Sequence, residues 1–144
     1  MLPPGAFAVA LFISGAQIML PAPAFVEQGR VWAPGREVLV RLGCPVRWDA
    51  DRRALVALRG EETLVFAETP PPWPTPATPA EARFARRVGN LLYLPLVALR
   101  AFGLRPTWEA GRHRVIIRDP TPVPVSLAAI LNNPAQWLDR TVSL

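Results

Sequence analysis

The chain has 144 residues, with 16 Arg, no Lys and 11 acidic residues, giving a net charge of +5. Apolar residues make up 51%, enough for a packed core, and 18 prolines exclude a bundle of long helices. One Cys and one His exclude an intramolecular disulfide and leave almost no ligands for a transition-metal cage, so no cofactor is expected.

The N-terminal apolar run is broken by Ser14, Gly15 and Gln17, so it does not span a bilayer. Ala22-Pro23-Ala24 has the look of a signal cleavage site, but no Lys or Arg precedes Arg30. The pattern is read instead as a hairpin, with strands at Ala6–Ile13 and Gln17–Leu20 and a turn at Ser14-Gly15-Ala16.

From Gly29 the chain repeats itself. Gly29, a strand through Trp32, Pro34, a helix over Gly35–Leu42, Gly43, a strand through Trp48 and a turn at Asp49–Arg52 lead into a strand at Ala54–Arg59. The same order runs from Gly89 through Tyr93, Pro95, Leu96–Phe102, Gly103 and Trp108 to a turn at Glu109–Arg112 and a strand at Arg114–Arg118. Gly43 and Gly103 are 60 residues apart, as are Trp48 and Trp108, while Pro34 and Pro95 are 61 apart. Proline suits a helix's first turn, where its missing N–H costs nothing, and glycine suits the left-handed position after a helix. Helices this short persist only when packed on a sheet. One such unit is marginal alone, so two are expected to share a core.

Six prolines between Pro70 and Pro79 predict an extended, stiff connection over Thr69–Pro79. Beyond Asp119, Pro120, Pro122 and Pro124 mark a second linker. A short helix at Leu127–Leu131 capped by Ser126, a turn over Pro134–Arg140 and a strand start at Thr141–Leu144 complete the expected elements.

Gly29-Arg30-Val31-Trp32-Ala33-Pro34-Gly35-Arg36 and Leu42-Gly43-Cys44-Pro45-Val46-Arg47-Trp48-Asp49 resemble the two signatures of the stalk domain named after the N-terminal domain of copper amine oxidases. Tyr93-Leu94-Pro95 and Gly103 to Glu109 keep the frame more weakly, lacking the Arg after the proline and the Val before the Trp. The resemblance covers about Ala6 to Asp119 and implies a non-catalytic envelope or extracellular location. It brings neither copper nor amine oxidation. The only Tyr, Tyr93, stands before Pro95 rather than in the Asn-Tyr-Asp/Glu setting of the quinone cofactor, and the only His is His113. The tail from Val125 faintly resembles the opening of a small β-barrel module.

Several residues invite chemistry. Asp49 and Asp51 form an Asp-x-Asp pair, but no calcium-loop Gly and Glu follow in register, and an Asx turn accounts for them. Asp49 and Glu109 are paired carboxylates only through the repetition. Cys44 has no nearby base in sequence and reads as a buried thiol. Trp48, Trp108 and Trp32 alternate onto apolar faces and are expected in the core, leaving Trp73 as the exposed aromatic able to anchor a partner. The basic hairpin tips Arg52-Arg53 and Arg112-His113-Arg114 are the candidate anion-binding residues.

The expected fold is α+β, two β-β-α-β-β units over residues 5–119 followed by a linker and a short helix-strand tail over 120–144 that reads as a truncated second module. The expected function is a non-catalytic cell-envelope or extracellular module, a spacer or an adhesion and assembly domain, with cell-wall polymer or an envelope protein as partner. The alternative is a basic nucleic-acid-associated domain.

Overall fold

The computed structural model describes Leu2 and residues 5–118. The tail elements expected beyond Asp119 lie outside these residues.

Short apolar runs between glycine turns become strands. β1 (Phe7–Ile13) and β2 (Ala16–Gln17) form a hairpin around Ser14-Gly15, but its second strand is only these two residues rather than the expected Gln17–Leu20, and Ala16 pairs with Ile13 instead of lying in the turn. β3 (Ala24–Glu27) and β4 (Arg30–Pro34) follow, then helix α1 (Gly35–Arg41), β5 (Val46–Asp49), β6 (Ala54–Arg59) and β7 (Glu62–Glu68). After the Pro-rich segment come β8 (Phe84–Val88), β9 (Leu91–Pro95), a 3₁₀ helix (Leu96–Phe102), β10 (Arg105–Glu109), a single 3₁₀ turn (Ala110–Arg112) and β11 (Arg114–Arg118). The protein is thus a mixed α/β fold with mostly antiparallel strands. Only β1–β11 and β7–β8 pair in parallel among the described residues.

The second helical segment is 3₁₀ where the first is α. It has one residue fewer between its proline and its glycine, and 3₁₀ winding advances about 2.0 Å per residue against about 1.5 Å. Gly43 and Gly103 both take positive φ, +74° and +80°, just past their helices. Gly35 is fixed by packing instead, because a Cβ there would run into Leu94.

All strands join one 11-stranded sheet in the order β10-β11-β1-β3-β4-β9-β8-β7-β6-β5, with β2 pairing β1. β5 and β10 are its ends. β1 lies between β3 and β11, with Val9, Leu11 and Ile13 buried. The strand β7, hydrogen-bonded to β6 through a turn at Gly60-Glu61, has no counterpart in the repeat pattern read from the sequence.

The four central strands are buried on both faces. One face sends Ala24, Ala33, Leu94 and Ala85 into the main core with Val38, Leu39, Leu96 and Leu99. The other gathers Phe25, Trp32, Phe84 and Tyr93. Consecutive buried residues such as Ala24-Phe25 follow from this two-sided burial. Phe25 and Tyr93 rings lie 5.0 Å apart, Trp32 and Phe84 5.4 Å, and the Tyr93 hydroxyl donates to the Pro23 carbonyl at 3.0 Å. Burial pushes the Tyr93 phenol above its ordinary pKa.

The Pro-rich segment roofs this aromatic face rather than standing off as a stiff spacer. Trp73, Ala22 and Leu91 pack against the cluster. Thr75 Oγ1 reaches Gln28 Oε1 at 2.6 Å, and Arg30 Nε donates to the carbonyl of buried Pro76 at 2.7 Å. Trp73 is therefore half-buried and not the exposed anchor its surroundings in sequence predict. Its indole N–H donates to the Thr69 carbonyl, and its ring lies on Arg86.

Candidate functional site

The turns joining β5 to β6 and β10 to β11 carry the basic tips. At the first, Asp49 Oδ1 accepts from the backbone N–H groups of Asp51 and Arg52 at 3.1 and 3.2 Å, the Asx turn expected there. Arg52 also pairs with Asp49 at 3.6 Å, and Arg53 with Glu68 at 3.1 Å. Arg87 forks onto both oxygens of Glu68 at 3.0 Å, and these Arg87 hydrogen bonds chiefly hold the Glu68 carboxyl below its usual pKa. This tip is largely neutralised by its own carboxylates.

The second tip is different. Arg114 is tied to Glu109, and this hydrogen bond lowers the Glu109 pKa. Arg112 is exposed and makes no ion pair among the described residues. His113, at φ +47°, stacks on Trp108 with the rings 12° apart in plane, and Phe7 lies 5.5 Å from it. Phe7 is 43% exposed and Trp108 38%. An exposed aromatic patch thus stands beside Arg112.

This overturns the expectation that Trp48 and Trp108 are core residues. Trp48 is 36% exposed. Alternation does aim Trp108 to the side of its partner Val115, which is buried. But among the described residues β5 and β10 end the sheet, and no further described strand covers a side chain's outer flank there. Trp32, on central β4, is buried as expected.

The sheet order puts the two tips apart, with β1, β3, β4, β9, β8 and β7 between β11 and β6. Asp49 and Glu109 are likewise on the two end strands. Cys44 is buried, with its thiol against the Leu42 carbonyl and the Arg59 guanidinium at 3.9 Å. Among the described residues, no group of three His, Cys, Asp or Glu is placed to hold a metal, and no helix is long and apolar enough to cross a membrane. Sequence reasoning passed over Arg105 and Arg118, which the β10–β11 register sets directly opposite one another. Counting outward from the expected Glu109–Arg112 turn sets Arg105 opposite Ile116; the observed turn over residues 110–113 shifts the register by two, to Arg118.

No protein-family model, no curated protein and no solved structure matches the chain.

Proposed function

We propose that the chain is a non-catalytic binding module of a cell-envelope or extracellular protein, of the stalk type named after copper amine oxidases. It is built from two β-β-α-β-β units, β3–β6 and β8–β11. The unit reading is supported by the recurring element order and by Arg53 and His113, left-handed residues 60 apart in matching turns. It is also supported by the sheet order, in which each unit's second hairpin lies at the far side of the other unit's leading hairpin.

The observation that carries the function is the exposed Phe7–Trp108–His113 patch beside Arg112. Flat aromatic faces take the apolar faces of sugar rings, and a free guanidinium takes an acidic substituent. An acidic wall polymer fits both. Aromatics among arginines also suit single-stranded nucleic acid, through base stacking, and the Trp108–His113 stack favours that second reading.

Co-sedimentation with isolated wall material, and retention on immobilised nucleic acid, each at low and physiological salt, separates the two. Wall binding that survives salt and is lost in Trp108→Ala supports the first. Nucleic-acid retention that collapses with salt supports the second, because each phosphate contact releases counterions.

A further inference from the structure

Beyond the aromatic patch, the β10–β11 end of the sheet holds a strongly basic cleft. Arg105 and Arg118 are cross-strand partners, so their Cβ atoms stand about 5 Å apart. Like charges directly opposite repel, and sheets ordinarily avoid the arrangement. Arg100, in the last turn of the 3₁₀ helix, borders the same place. All three side chains are exposed; Arg118 lies close enough to Glu109 to help lower its pKa, and no close ion pair holds any of the three among the described residues.

Two cavities adjoin there. One, about 410 Å³, is lined by Gly103, Arg105, Thr107, Glu109, Ile116 and Arg118. The other, about 380 Å³, is lined by Arg100, Gly103, Leu104 and Arg105. Gly103 and Arg105 belong to both. Gly103 has open space where a Cβ would stand, so the backbone is approachable at the middle of the cleft. The acid in the cleft, Glu109, is hydrogen-bonded to Arg114 and its pKa is lowered by Arg114, Arg112 and Arg118, so one carboxylate stands against the three guanidinium groups that frame the cleft.

We infer that this cleft, framed by Arg100, Arg105 and Arg118 around Gly103, binds a phosphate group. A tetrahedral oxyanion presents oxygens in several directions, and guanidinium forks from two strands and a helix end meet such a group better than a single planar carboxylate. A bound phosphate would also relieve the Arg105–Arg118 repulsion. Thr107 supplies a hydroxyl, and half-buried Ile116 an apolar wall, so a phosphodiester with a carbon chain suits the cleft better than the free ion. The inference rests on the polymer-binding reading only for the source of that group, a polyol-phosphate wall polymer. The phosphate site stands on its own geometry.

The test titrates the full chain with inorganic phosphate, and separately with purified polyol-phosphate polymer, by calorimetry, holding ionic strength constant with chloride. Wild type is expected to bind phosphate weakly, and Arg105→Ala or Arg118→Ala to weaken it by about tenfold or more. Arg52→Ala leaves it unchanged. Without ligand, the Arg105→Ala/Arg118→Ala protein should melt no lower than wild type, which shows that it folds. Phosphate binding that is absent in wild type, or equal in the double variant, overturns the site. Polymer binding that the double variant retains in full also overturns it while leaving the binding-module reading intact. Phosphate binding lost in the double variant, with no polymer binding by wild type, supports the site and overturns the polymer reading.

Discussion

The guanidinium carbon of Arg86 lies 4.0 Å from the centroid of the Trp73 ring. Arg86 is 2% exposed and also faces Trp32 at 4.8 Å and Phe25 at 5.4 Å. Its Nη2 is 2.9 Å from Glu27 Oε2, but out of line for a hydrogen bond, and its Nε has no hydrogen-bond partner among the described residues. A cation held in an aromatic cage by one carboxylate thus pins the Pro-rich segment to the sheet.

Removing one member of such a pair strands the other. Glu27→Gln is expected to cost about 2 kcal/mol, less than a fully buried pair because Glu27 is partly exposed, whereas Arg86→Met should cost about 1 kcal/mol or less. Trp73→Ala should leave the segment cleavable. Thermal unfolding and limited proteolysis check all three. Equal costs for Glu27→Gln and Arg86→Met would remove the stranded-charge explanation.

Gly35 sits against Leu94 where no Cβ fits. Gly35→Ala should destabilise by about 1–3 kcal/mol through overpacking, although alanine favours helices. Combined with Leu94→Ala, the total should fall well short of the sum of the single effects. Chemical denaturation of the four proteins measures this coupling.

The Glu68 carboxyl is held low by Arg87 first and Arg53 second. Its contribution is therefore complete above the unfolded carboxylate pKa of about 4.3 and is lost as pH falls through the lower folded value. Both arginines are exposed, so the whole arrangement is worth about 1 kcal/mol. Stability measured from neutral pH down to acid should fall less steeply in Glu68→Gln than in wild type.

The interlocked sheet order predicts that neither half folds alone. A fragment covering residues 1–68 lacks β8, β9 and β11, the neighbours of β7, β4 and β1. It should show no cooperative thermal transition. A sharp melt from that fragment would count against shared-core units.

Local features were legible in the sequence. The hairpin at Ser14-Gly15, the left-handed Gly43 and Gly103, and the Asx turn at Asp49 each depend on residues within a few positions of one another. Features set by strand order were not. Trp48 and Trp108 follow the alternation of buried residues, but their exposure depends on β5 and β10 ending the sheet. Trp73 looked like a free aromatic because the Arg86 it covers is 13 positions away on a strand with no alternation of apolar and polar residues. β7 was readable from Leu64 and Phe66 after Gly60, but the repeat frame stops at Arg59. The candidate site was half legible. Arg112 and His113 were found, while their aromatic partners Phe7 and Trp108 required the fold.

Binding is proposed at the β10–β11 end of the sheet and not at the β5–β6 end. The most direct measurement compares wall co-sedimentation of wild type, Trp108→Ala and Trp48→Ala at physiological salt. The two tryptophans are similarly exposed and occupy matching positions on opposite end strands. Trp108→Ala is expected to lose most of the bound fraction and Trp48→Ala to keep it. Equal losses, or a loss confined to Trp48→Ala, would contradict it.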